Sequence, residues 1–178
     1  MARTISNHDD VVDSRDIIKR MEELQDEKDS EIENLQETID SLKEEIEEAK
    51  KDVETAFQEE DEESMLKRQE ELDGLEESLE EAVSEMDEYE FDDEDELASL
   101  ISVNEEGDGY AIDWRHGETL VNERYWKIYV QELLQDLGEL PKDLPSYIAI
   151  DWDETADNIA ADYTTIDWDG VDFYVRCS

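Results

Sequence analysis

The chain has 178 residues, of which 58 are Asp or Glu and only 15 are Lys or Arg, for a formal net charge of −43. A small domain needs a net charge of only about 2–8 in magnitude to stay soluble, and a large excess strains the compact state by self-repulsion. This balance excludes direct binding to nucleic acid or to an anionic membrane surface, and no apolar run approaches the ~18 residues of a membrane span.

Composition divides the chain in two. Residues 1–106 hold 42 acids and 10 bases, a net of −32, and lack proline. Residues 107–178 hold 16 acids and 5 bases, a net of −11, together with all four tryptophans, Trp114, Trp126, Trp152 and Trp168. The expectation is an acidic helical domain over 1–106 and a small aromatic domain over 107–178. The polar N-terminus has no apolar signal-like segment, and the single cysteine, Cys177, allows no disulfide within the chain. Both fit a cytoplasmic, reducing compartment.

In chain order, Ser14 is the expected N-cap of an amphipathic stretch bearing Ile17, Ile18, Met21 and Leu24. From Ile32 a heptad seam follows: Leu35, Ile39, Leu42, Ile46, Ala49, Val53 and Ala56, at alternating steps of three and four. Gln25 and Lys28 stand where this seam would extend backwards, so a register shift is expected near residues 27–31. A second seam runs through Met65, Arg68, Leu72, Leu75, Leu79, Ala82, Met86 and Tyr89, with Gly74 weakening it by about 1 kcal/mol relative to Ala. Residues 58–64, between the seams, carry no strong apolar side chain. An antiparallel coiled-coil hairpin is the direct reading, and one continuous dimerising helix is the alternative.

Residues 87–96 are the densest acidic run. Leu97, Leu100 and Ile101 resume helical spacing, and residues 105–109 (Glu-Glu-Gly-Asp-Gly) are expected to break it. A short extended stretch is expected near Glu118 to Val121. Asn122 should then cap a helix to about Leu137, stopped by Gly138. Residues 140–145, with two prolines, read as a loop. Asp151 should cap a helix from Trp152 to about Asp162, and Asp169-Gly170 between alternating apolar residues signals a type I′ β-hairpin. The fold class is therefore α+β: a coiled-coil hairpin followed by a small helix–helix–β-hairpin domain. About 70 residues are marginal alone, so this domain should dock on the coiled coil or form a homodimer.

No Gly-rich phosphate loop, His/Cys metal spacing or nucleophile elbow is present, so no catalytic residue, metal site or cofactor is expected and the protein reads as a non-enzyme. Ile-Asp-Trp-Asp occurs at 150–153 and 166–169. Paired aspartates of this kind can hold Mg²⁺. Here the first pair straddles a helix start and the second enters a turn, so each has a structural explanation.

Several strings resemble a known family. Residues 117–121 (Gly-Glu-Thr-Leu-Val) leading into Tyr125-Trp126, Tyr129, Glu132-Leu133 and Asp136-Leu137-Gly138 resemble a small C-terminal module of bacteriophage and mobile-element proteins, which often follows a Glu-rich helix opening with Asp13-Ser14-Arg15-Asp16. The stretch from Ile150 to Tyr163, with the terminal Arg176, is similar to the end of ArdA-type antirestriction proteins. The match covers about 110–176. It implies an acidic DNA mimic that occupies the DNA-binding groove of a type I restriction–modification enzyme.

An independent estimate points the same way. An arm of about 40 residues is ~60 Å long, and 32 net charges along it give about one per 2 Å, against about one per 1.7 Å of duplex DNA. The expected partner is a basic DNA-binding protein or restriction–modification complex. The expected contact residues are Asp92, Asp93, Glu94, Asp95, Glu96, Glu132, Asp136, Asp153, Glu154, Asp157 and Asp162. The rival expectation is a coiled-coil adaptor or structural protein, of a phage or of a high-salt cell, whose acidic surface is generic.

Overall fold

The first seam folds as one helix. The computed structural model describes residues 5–58, 61–140, 144, 145 and 147–177, and in it α1 runs unbroken over Ser14–Gln58. Its protected positions are 14, 17, 18, 20, 21, 23, 24, 25, 28, 32, 35, 39, 42, 46, 49, 53 and 56. Gln25 and Lys28 are themselves partly protected, so the spacing runs back from 32 through 28, 25 and 21 at steps of four, three and four, and the register shift expected near residues 27–31 does not occur. Helix α2 is Glu62–Asp87, capped by Asp61, whose side chain accepts from the Ser64 amide. Every residue of the second seam is protected, with Leu72 the most buried.

The cross-links between the two helices run in opposite directions along the chain. Tyr89 donates to Glu31 at 2.7 Å, Arg68 donates to the Asp52 carbonyl at 2.7 Å, and Lys50 pairs with Glu76 at 3.5 Å. The pair is an antiparallel hairpin, and the continuous-helix alternative is discarded.

The chain forms two compact units, Gln25–Asp92 and Met1–Leu24 with Asp93–Ser178. This corrects the division at residue 106, which followed composition. Hydrogen bonding, not composition, decides it. Strand β1 (Val11–Asp13) pairs antiparallel with β2 (Thr119–Asn122), Val11 opposite Val121. Helix α3 (Glu94–Tyr110) crosses the expected boundary without a break. Gly107 is a packing site there rather than a breaker: a Cβ at this position would overlap the indole of Trp114. Trp114 opens the single-turn helix α4 (Trp114–Gly117), is fully buried, and donates to Asn104 at 2.9 Å.

The second unit is built on a four-stranded antiparallel sheet in the order β1-β2-β4-β3. The expected hairpin forms its far half: β3 (Tyr163–Trp168) and β4 (Val171–Arg176), with Asp169 at φ 50° and Gly170 at φ 79° in the turn. One sheet face carries Leu120, Ile166, Trp168, Phe173 and Val175, all buried. Trp168 on this face donates to Ser99 of α3 at 3.0 Å. The other face presents Val121, Tyr163 and Tyr174 to α5 (Trp126–Asp136) and α6 (Trp152–Ala160). Trp126 anchors that layer, stacked on Tyr174 at 4.3 Å and edge-on to Tyr163 at 4.7 Å.

Two expected caps are reassigned. Asn122 does not cap α5. It is the buried last residue of β2, and its side chain donates to the Asn7 and Asp9 carbonyls and accepts from the Arg124 amide, tying the N-terminal segment to the sheet. Ser14 is not the cap of α1 either, since the Arg15 amide bonds the Asp13 carboxylate at 2.9 Å. The buried Ser14 hydroxyl instead donates to the Trp114 carbonyl at 2.6 Å and accepts from the Glu118 amide at 2.7 Å. Asp151 does cap α6, accepting from the Asp153 and Glu154 amides. Gly138, at φ 72°, ends α5 in a Schellman motif, with the Gly138 amide on the Gln135 carbonyl and the Glu139 amide on Leu134. In the expected loop at 140–145, Pro141, Lys142 and Asp143 lie outside the described residues.

Candidate partner-binding surface

The eleven expected contact residues fall into separate groups. Asp92 is exposed, in the turn after the buried Phe91, and closes the hairpin unit. Asp93, Glu94, Asp95 and Glu96 open α3 in the sheet unit, where acids suit the positive end of the helix dipole. Asp93, Glu94 and Asp95 are exposed. Glu96 is half-buried and accepts from Nε and Nη2 of Arg20 at 2.8 and 3.1 Å, so it fastens α3 to α1.

The remaining acids lie on the other side of the sheet. Glu132 and Asp136 are exposed on α5, Asp153, Glu154 and Asp157 on α6, and Asp162 in the turn that follows. Two of these already have partners. Glu132 accepts from the Tyr125 hydroxyl at 2.8 Å, which pushes the Tyr125 pKa up, and Asp153 pairs with Lys127 at 2.6 Å. Trp126 donates to the Ala156 carbonyl and Lys127 reaches Asp153, so the first turns of α5 and α6 lie side by side. The acids of the two helices thus share one layer, and the sheet separates them from Asp93–Glu96.

Neither Ile-Asp-Trp-Asp copy gathers ligands. Asp151 is occupied as a cap, Asp167 accepts from the Gly170 amide, and Asp169 accepts from Ser99. Among the described residues no group of His, Cys, Asp or Glu is placed to hold a metal ion, and no helix is long and apolar enough to cross a membrane.

One feature had no counterpart in the acid pattern. Between the C-terminal ends of α5 and α6 lies a groove of about 520 Å³, lined by Leu133, Leu134, Leu137, Ile159, Tyr129 and Tyr163 among others. Glu118, Glu139, Asp162 and Arg176 also line it. The Tyr163 phenol there is pushed up to about 12, first by burial and then by the neighbouring Tyr129. The sequence signal for this groove was the length of the α5 apolar stripe, which continues through Leu137 beyond the part that α6 covers.

Comparison with known proteins finds no matching family model, no matching curated relative and no matching solved structure.

Proposed function

We propose that this protein is a non-enzymatic inhibitor that imitates DNA, binding the basic DNA-binding surface of a host enzyme, with a type I restriction–modification complex as the intended target. The observation that carries this reading is the charge line of the hairpin. Gln25–Asp92 holds 30 acids and 6 bases, a net of −24. Its α1 portion, residues 25–58, is about 50 Å long at 1.5 Å per residue, giving about one negative charge per 2 Å, close to the one per ~1.7 Å of duplex DNA. Six bases leave most of those carboxylates without a cation inside the hairpin. Lys and Arg on a DNA-binding surface would meet nearly the linear charge density of duplex phosphates. Binding would release counterions from both partners, and long-range attraction would speed association.

The test is inhibition of a type I restriction–modification enzyme on unmodified DNA by the full chain, at about 50 mM and about 300 mM salt. The expected result is inhibition that falls steeply with salt. Replacing Glu44, Glu47, Glu48, Glu77, Glu80 and Glu81, all exposed, with Gln should weaken it at least about tenfold and flatten its salt slope. Full inhibition by that variant would refute the proposal.

The adaptor reading has one observation in its favour. Phe57 and Leu66 are 71% and 68% exposed on the helices flanking the α1–α2 connection. If serine at these two positions removes partner binding while the six-Gln variant retains it, the hairpin is an assembly arm.

A further inference from the structure

We propose that the groove between the C-terminal ends of α5 and α6 is a docking site for a short amphipathic segment of the basic partner, apolar on one side and flanked by Lys or Arg. This deepens the reading above and rests on it only for the sign of the partner's charge.

The apolar stripe of α5 runs through Trp126, Tyr129, Val130, Leu133, Leu134 and Leu137. Its first half is covered by Val121, Ala156 and Tyr174. Its second half opens into the groove, where Leu137 is 63% exposed. The volume, about 520 Å³, lies within the roughly 300–1,000 Å³ of pockets that enclose a ligand. The leucines, Ile159 and two tyrosines of this lining suit the helix-in-groove mode, in which apolar anchors one turn apart seat in a trough.

The lining charges select the occupant. Glu118, Glu139 and Asp162 stand against the single guanidinium of Arg176. The surrounding unit, Met1–Leu24 with Asp93–Ser178, holds 28 acids and 9 bases, a net of −19. A second copy of the chain brings the same negative field and is repelled, and so is an anionic amphiphile. A cationic amphipathic segment satisfies both the apolar and the acidic side chains of the lining.

The experiment uses the full chain and two labelled peptides of identical Leu/Lys composition, one with its leucines on a single helical face and one scrambled. Binding is read by fluorescence anisotropy at about 0.3 M salt, where exposed charges are heavily screened. The expected result is at least about tenfold tighter binding of the amphipathic peptide, because only it seats leucines in the groove. Leu137→Asp should abolish that preference. Ile128→Asp, at a residue 48% exposed on α5 and outside the groove lining, should retain it.

Equal affinity for the two peptides would overturn the proposal, as would a preference that survives Leu137→Asp. Concentration-dependent self-association that Leu137→Asp abolishes would overturn it in favour of an interface between copies. Restriction inhibition measured on the same variants reads a failure of the groove separately from a failure of the DNA-mimic reading.

Discussion

Ser14 shows how much one small polar side chain can hold. Its hydroxyl is fully buried and serves two backbone groups about 100 residues away, the Trp114 carbonyl and the Glu118 amide. Alanine at this position would leave both without a partner, and each buried unsatisfied group costs about 1–3 kcal/mol. Ser14→Ala is therefore expected to lower stability by at least about 2 kcal/mol in urea denaturation. Ser30→Ala, at an exposed position of the same helix, should stay within about 0.5 kcal/mol. Equal effects would show that the buried hydroxyl carries no special share. The same residue marks a limit of sequence reading, because a serine before an amphipathic run looks like a cap. Only the fold shows that Asp13 answers the free amide and that Ser14 faces inward.

At the scale of elements, two glycines inside helices make opposite predictions. Gly74 in α2 has nothing within 4 Å of where a Cβ would stand. Gly74→Ala should therefore stabilise the hairpin by about 0.5–1 kcal/mol through helix propensity and a less flexible unfolded chain. Gly107 in α3 lies under the Trp114 ring, and Gly107→Ala should destabilise the sheet unit by about 1–3 kcal/mol despite the same gain in propensity. Denaturation midpoints that move in the same direction would disprove the assignment.

The contrast explains what could be read in advance. Heptad spacing, the Asp151 cap and the Asp169-Gly170 turn are local devices, and all three appear where the pattern placed them. Residues 105–109 looked like a breaker because the reason for Gly107 is a tryptophan seven positions on. Strand β1 is three residues long and meets its partner only through tertiary pairing, so no periodicity could announce it. Of the expected contact acids, the exposed helix positions were legible from amphipathic phase. The commitment of Glu96 to Arg20 was not, since the two are 76 residues apart.

For the whole molecule the question is how net charges of −24 and −19 on the two units are tolerated. The hairpin answers with a largely apolar seam on both helices, in which Lys28 and Arg68 are polar members, and the sheet unit with covered faces on both sides of its sheet. Each is a short-range gain that salt does not supply. The unit containing the sheet is also larger than the 70-residue domain expected, because the first turns of α1 and all of α3 belong to it. The helical circular-dichroism signal should therefore persist at about 10 mM salt, where the screening length is ~30 Å. The melting temperature should rise toward about 0.15 M, as that length falls to ~8 Å. Loss of helix at the lower salt would mean that the acidity is an adaptation to brine.

The pairing of β1 with β2 also closes a long loop of chain. Val11 and Val121 meet across 110 residues of chain, and 68 of those lie in Gln25–Asp92. Once the hairpin is closed, it leaves 42 residues for the ends to search through. The entropy of closing that loop then falls by about 0.9 kcal/mol, from the logarithmic dependence on loop length. The acidic arm is thus a splint for the sheet: once folded, it shortens the chain that β1 must span to find its place.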